Sequence, residues 1–379
     1  MRRFAAILLV TTFVISGCSD EDEDIYLANP LVDIENQFSV KTLWSTNVGD
    51  GIGDRAVKIS PVFAYDKIYV ADSSGKIIAV DSNNGKKVWE MEFDIPIAGG
   101  PAVASKLVAV GTSQGEVLVV DAETGKEKWR TLVSSEIISS PAIGDGHVAV
   151  RTVDGKIYVF DALSGKQKWF YDESLPPLTL RGNSSPIIAG GGVISGFSNG
   201  KLMVFLLTNG QLAWEKRIAI PIGSSEIQRL VDVDLQPLLV ASSLYIGSYN
   251  GNLASLNIKN GEFNWQREFS TFQDLAANDL LLFATHEDSH LSAINRTNGV
   301  IIWTQKDLYR RQLTAPGIVG KHAVVADFEG YVHWLSVKTG KIESRKHIDS
   351  SGIAANPLVI DDKVILYTRD GSLIAIQKQ

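Results

Sequence analysis

Three stretches carry residue types at spacings that do chemistry in other settings. His286-Glu287-Asp288-Ser289-His290 matches the HExxH pattern. There a helix sets two imidazoles one turn apart on a zinc ion, and the glutamate serves as general base. Gly196-Phe197-Ser198-Asn199-Gly200 matches the GxSxG elbow, which lifts a nucleophilic serine on a strand-to-helix turn. Asp232-x-Asp234 offers two carboxylates to a hard cation such as calcium, or to a basic partner. In an extended segment the two would share one face. No Walker-type phosphate loop or convincing Gly-rich dinucleotide loop accompanies them.

The elements that must position these residues are set by a repeat. Ala79-Val80-Asp81-Ser82-Asn83-Asn84-Gly85-Lys86-Lys87-Val88-Trp89 returns as Val120-Asp121-Ala122-Glu123-Thr124-Gly125-Lys126-Glu127-Lys128-Trp129 and again as residues 160–169. Trp89, Trp129 and Trp169 are forty residues apart, as are Pro61, Pro101 and Pro141. One copy reads as four short strands: the run ending at Ile143, His147 to Thr152, Lys156 to Phe160, and a last strand carrying Trp169. Asp154-Gly155 is the hairpin turn between the middle two. Four short antiparallel strands per forty residues is one propeller blade, and helical periodicity appears nowhere at useful length.

The hairpin position recurs at Ser74-Gly75, Gln114-Gly115, Asp154-Gly155, Asn199-Gly200, Asn250-Gly251, Asp288-Ser289, Glu329-Gly330 and Asp370-Gly371, so the ring has eight blades. Glycine there is expected to supply a positive φ, with Ser289 the departure. The tryptophan position continues through Trp214, Trp265 and Trp303 and lapses at Ser344, while Trp334 lies out of register in a third strand. The last copy ends at Gln379 without a fourth strand, and Val40-Lys41-Thr42-Leu43-Trp44 is a fourth-strand sequence with nothing before it. The N-terminal strand is therefore expected to complete the C-terminal blade and remove an open edge.

In this frame the chemical motifs lose their geometry. Asp288-Ser289 occupies a hairpin turn, not a helix. The GxSxG form recurs in kind at residues 111–115 and 247–251, and a nucleophile is not needed three times around a ring. The two aspartates have no further clustered oxygen ligands. The reading assigns no catalytic residue, no metal ligand and no cofactor.

The chain has 379 residues, with 45% hydrophobic and 21% charged residues and a net charge of −7, a balance that argues against nucleic acid as partner. Arg2-Arg3 and the apolar Phe4 to Ile15 form a targeting leader too short to span a bilayer. It ends in Ile15-Ser16-Gly17-Cys18, which resembles the bacterial lipobox, and Cys18 is the single cysteine. Residues 1–17 are thus read as a signal peptide and Cys18 as the lipidation site, with Ser19 resembling the outer-membrane sorting signal. Residues 18–37 are read as a lipidated acidic linker, since Asp20 to Asp24 are all Asp or Glu. The propeller occupies residues 38–379.

Two junctions break the period. Pro141 to Pro186 is 45 residues and Pro186 to Pro237 is 51, and both insertions fall between one blade's last strand and the next blade's first. Neighbouring long loops on a rigid ring are where binding is expected, and their leucines beside Arg and Asp suit a protein partner.

The unit Asp-x-x-x-Gly-Lys-x-x-Trp resembles the quinoprotein propeller repeat, which leaves a PQQ-dependent dehydrogenase as one alternative. An active member would be longer, and the alcohol dehydrogenases carry an adjacent cysteine pair that this chain lacks. Lipobox, eight repeats and both insertions together resemble the BamB family, propeller lipoproteins of the outer-membrane β-barrel assembly machinery. The specific likeness is in Leu178-Thr179-Leu180-Arg181-Gly182 and in residues 226–234. The resemblance implies a non-enzymatic scaffold, lipid-anchored at the periplasmic face of the outer membrane, aiding folding and insertion of outer-membrane proteins. It implies that Leu178, Leu180, Arg181, Arg229, Asp232 and Asp234 dock the POTRA domains of the barrel-forming subunit. A further expectation is that unfolded outer-membrane proteins add strands to exposed blade edges. A generic periplasmic interaction propeller is the remaining alternative.

Overall fold

The computed structural model describes residues 27–53, 57–180, 182 and 184–379. The leader, Cys18, the acidic run and Arg181 lie outside the described residues. Every regular element among the described residues is a β-strand. In a typical blade the first strand is short, as in Ala142–Gly144, and the second and third, His147–Arg151 and Lys156–Asp161, are buried almost throughout. The fourth, Gln167–Asp172, alternates between solvent and the neighbouring blade. First strands of adjacent blades touch one another and so face the central axis.

Eight such sheets form the ring, numbered here from blade 1 (Val62–Ala64 to Lys87–Glu92) to blade 8. In blade 8 the strands Leu358–Ile360, Lys363–Tyr367 and Ser372–Lys378 receive Val40–Asn47 as the fourth strand. That strand runs antiparallel from Val40 opposite Lys378 to Asn47 opposite Ser372, with one bulge between Thr42 and Trp44. The expected closure is therefore present, and no blade is left with an open outer edge at the seam.

Asp, Gly and Trp in the repeat have separate structural tasks. Asp121 Oδ1 accepts from the N–H groups of Glu123 and Thr124 and from the Thr124 hydroxyl, closing the turn before the fourth strand. The glycine matters next, and the equivalent turn of blade 3, at Asp161, shows why. Gly165 has φ +68, and a Cβ there would stand 2.6 Å from the Trp129 ring of the preceding blade. The indole thus lies flat over bare backbone. Its Nε1 donates to the Ala162 carbonyl at 2.9 Å, and Trp89, Trp169, Trp214, Trp265 and Trp303 each make the equivalent bond into the next blade at 2.7–3.1 Å. Trp44 repeats the stacking on Gly85, but its buried Nε1 has no acceptor among the described residues.

Three details differ from the sequence expectation. At Asn250-Gly251 the left-handed conformation falls on Asn250 (φ 53), and at the sixth hairpin Ser289 itself adopts it (φ 71). Asn tolerates this region better than most side chains, and here Asn250 Nδ2 ties the hairpin to the second insertion by donating to the Leu230 carbonyl. Blade 2 has a fifth strand, because Lys58–Ile59 pairs in parallel with Gly99 and Gly100. Residues 27–37 run as a strap along blade 7: Asn29 N–H donates to Tyr309 O, Gln37 N–H to Glu343 O, and Arg345 Nη1 to Val32 O. The out-of-register Trp334 acquires a task from this seam. It is 1% exposed and meets Phe38 edge-on at 5.8 Å, filling the space left where the outer position becomes Ser344. Ser344 Oγ donates to the Phe38 carbonyl.

Candidate docking face

Strand alternation puts the hairpins between second and third strands on the same face as the connections between blades. Both insertions emerge there. The first is bolted down by Glu173, whose carboxylate accepts from Tyr171 OH (2.8 Å), Asn199 Nδ2 (2.7 Å) and Lys201 Nζ (3.5 Å). Leu175 packs against the blade 3 hairpin at Gly155. Pro176-Pro177 then carries the chain outward, leaving Leu178 41% and Leu180 39% exposed.

The second insertion leaves blade 4 through buried Ile218 and Ala219 and immediately exposes Ile220, Ile222 and Ile227. A single turn follows, closed by Gln228 Oε1 accepting from the Ser224 and Ser225 N–H groups and by Arg229 N–H donating to Ser225 O. Arg229 is exposed. From Val231 to Leu235 the chain turns inward and is buried, tied to the neighbouring hairpins by Tyr249 N–H to Asp232 O (2.7 Å) and Val233 N–H to Phe197 O. Ser184 Oγ donates to Leu235 O, joining the ends of the two insertions.

The two loops meet. A cleft of about 310 Å³ is walled by Pro177 and Leu178 from the first and by Glu226, Arg229 and Val231 from the second. The structure thus brings Leu178 and Arg229 together and keeps Leu180 on the same exposed loop.

Asp232 and Asp234 are placed otherwise. They are 0% and 4% exposed, so the expectation that their carboxylates present one open face to a partner is not how the structure holds them. They turn toward the fully buried Arg151, whose Nη2 donates to Ser198 Oγ and whose guanidinium lies 4.9 Å from the Phe197 ring. Burial pushes the Asp232 carboxyl well above the ordinary carboxylate range, and neighbouring Asp234 adds to the rise while Arg151 offsets it. The Asp234 carboxylate sits against the Gly182 backbone, next in chain to Arg181. These aspartates shape the loops from below. The reason is β-alternation: Val231, Val233 and Leu235 are apolar, but neighbouring blades cover both sides of the segment, so period two no longer separates core from solvent.

The chemical motifs end as hairpins. His286 N–H bonds His290 O across a turn, and Glu287 accepts from the Ser270 hydroxyl. Ser198 is 3% exposed, on a hairpin of blade 4 with no helix after it. What the sequence reading missed was the isoleucine trio, although Ile218-Ala219-Ile220-Pro221-Ile222 is an apolar run broken by a proline where no strand can continue.

The family model described as outer membrane protein assembly factor BamB matches residues 36–93 and 73–305. The outer membrane protein assembly factor BamB of Kangiella koreensis is 44% identical over 373 residues, covering 98% of this chain and 95% of that relative. Among solved structures, BamB from Moraxella catarrhalis superposes with a TM-score of 0.81 at 27% identity, covering 89% of this chain and all (100%) of that one. A europium-containing methanol dehydrogenase gives a TM-score of 0.74 at 13% identity over 91% of this chain and 95% of that chain, a likeness of fold alone.

Proposed function

The chain belongs to the BamB family of outer membrane protein assembly factors, and from that premise we propose that it is a non-catalytic scaffold of the β-barrel assembly machinery. In this reading it docks the POTRA domains of the barrel-forming subunit and so aids the folding and insertion of outer-membrane proteins. Cys18 carries the lipid that holds it at the periplasmic face of the outer membrane. The observation that carries the docking reading is the meeting of the two insertions, the only places where the early repeat is stretched, in one cleft edged by exposed apolar side chains.

Leu178 and Leu180 are the anchors to be buried on docking, with Arg181 and Arg229 supplying charge-assisted bonds to partner carboxylates. Asp232 and Asp234 act at one remove, holding the inward segment that sets where the loops stand. A buried anchor of this kind is worth about 2 kcal/mol on truncation, roughly thirty-fold in affinity. The test is capture of the barrel-forming subunit by Leu178→Ala combined with Arg181→Ala. Leu178 lies on a loop and Arg181 belongs to the same insertion in the sequence, so the ring should keep its melting transition while capture is lost. Undiminished capture by the folded double variant refutes the docking assignment.

A further inference from the structure

The HExxH stretch fails as a helical zinc motif, yet the hairpin that replaces the helix assembles a different donor set. The His286 N–H bonds the His290 carbonyl at 2.7 Å and the Ser289 N–H returns to the His286 carbonyl at 2.8 Å, so residues i and i+4 stand side by side across the turn. Ser289 takes the left-handed conformation (φ 71) that lets the turn close. As a result the Nδ1 atoms of His286 and His290 both converge on Asp288 Oδ1, at 2.7 and 3.1 Å. The potential ligand atoms of the three residues lie within 4.8 Å of one another.

The rings are held in place before any ion arrives. His286 packs edge-on against Phe269 with centroids 5.2 Å apart, and His290 lies over Tyr309 at 5.5 Å. The Arg310 N–H fixes the Asp288 carbonyl at 2.8 Å. The side chains of His286 and Asp288 are each 28% exposed and that of His290 21%, so an ion can enter from solvent.

Two imidazole nitrogens and a carboxylate oxygen suit first-row divalent ions of the zinc class, not calcium or magnesium, which take oxygen donors. Donors at about 2.0–2.2 Å from a tetrahedral ion stand about 3.3–3.6 Å apart, so the His290–Asp288 pair at 3.1 Å is near that spacing and the His286–Asp288 pair at 2.7 Å must open slightly to admit an ion. The Asp288 N–H also approaches His286 Nδ1, at 3.3 Å. Glu287 is bonded to the Ser270 hydroxyl and is not among the three converging donors, so the site reads as one of binding.

We propose that His286, Asp288 and His290 bind a zinc-class divalent ion at the tip of the blade 6 hairpin, leaving one coordination position open on the docking face. His286 also lines a cleft of about 710 Å³ whose far side carries Ile220 and Ile222 of the second insertion, so the ion sits beside the presented loops.

The test uses the purified full chain titrated with ZnCl2 against a chromogenic chelator, and with CoCl2 read by its visible d–d bands. One equivalent should bind, with cobalt bands of a four- or five-coordinate site. His286→Ala, His290→Ala and Asp288→Asn should each weaken zinc by at least tenfold, while Glu287→Gln and the remote His147→Ala leave it unchanged. Thermal melts without metal should match across the set, because the hairpin tip is not core. Absence of stoichiometric binding, or binding that persists in His286→Ala/His290→Ala, overturns the proposal.

Discussion

The indole hydrogen bond that recurs between blades can be isolated by comparing Trp129→Phe with Trp44→Phe. Both tryptophans lie over the glycine of the following blade, at Gly165 and Gly85. They differ in the indole bond. Trp129 Nε1 donates to the carbonyl of Ala162, a residue 2% exposed, whereas the buried Nε1 of the half-buried Trp44 has no acceptor among the described residues. In Trp129→Phe the Ala162 carbonyl is left unsatisfied, which costs about 1–3 kcal/mol. The smaller ring adds a cavity cost of about 1 kcal/mol. In Trp44→Phe the cavity cost remains, but an unsatisfied buried N–H disappears, and the two nearly cancel to about 0–1 kcal/mol. The expected gap is about 2 kcal/mol. Urea denaturation is the assay, with fluorescence and circular dichroism required to report one transition before a free energy is extracted. Melting temperature is a blunter readout, because one kcal/mol moves a large domain by only about 2–4 °C or less. Equal losses in the two variants at unchanged m-value would refute the reasoning.

Deleting residues 38–48 removes the fourth strand of blade 8 together with Phe38, Leu43 and Trp44, which pack into two hydrophobic clusters. The sheet bonds and buried rings lost amount to a large share of a typical 5–15 kcal/mol stability, so the expected outcome is loss of the cooperative melt and aggregation through the exposed edge. A melting temperature unchanged from wild type counts against closure. A second perturbation is acid. Asp327 is fully buried and accepts from Arg311 Nε (2.7 Å), His333 Nε2 (3.0 Å) and the Tyr331 N–H (2.9 Å). Burial works against its charge, but the bonds from His333 and Arg311 more than offset it and hold its pKa below the ordinary value. Burial likewise depresses His333, against the pull of Asp327. Both groups therefore contribute stability that is present above their unfolded pKa values, about 6.5 for His and 3.9 for Asp, and is lost as pH falls through the folded ones. Urea midpoints should drop between pH 7 and pH 3, and Asp327→Asn, about 3–5 kcal/mol weaker at pH 7, should show a shallower drop. A flat wild-type profile would contradict this.

The ring was legible in the sequence because each blade repeats a physical solution. Asp121, Gly165 and Trp129 perform tasks that their types announce: an acceptor to close a turn, a residue without Cβ, and a flat apolar surface with one donor. Even the seam was readable, since a fourth-strand sequence at Val40 with nothing before it had to pair with Ser372–Lys378. Asymmetric contacts were not legible. The parallel pairing of Lys58 with Gly99 and the strap at 27–37 depend on distant surfaces that leave no local period. Asp232 and Asp234 read as surface residues because acidic side chains usually are, and only the tertiary position of Arg151 makes their burial tolerable. The histidine pair failed the helix test, and the sequence alone did not show that a hairpin with a left-handed Ser289 also brings i and i+4 together.

The buried polar group beneath the insertions bears on why the loops are extended where they are. Arg151 on blade 3 and Asp232 in the second insertion are both fully buried, and among the described residues Arg151 Nε and Nη1 and both Asp232 oxygens have no hydrogen-bond partner of good geometry. Such an arrangement is poor for stability compared with an apolar filling of the same volume. Its geometric consequence is specific, however. It draws Asp232 toward blades 3 and 4, sets Asp234 against Gly182, and through Ser184 and Leu235 fixes the end of one insertion to the end of the other. An apolar core would fill the space without selecting that register, because hydrophobic contact is non-directional. The two loops are then held together by groups that never reach solvent, so their exposed residues can vary while the repeat beneath stays constant.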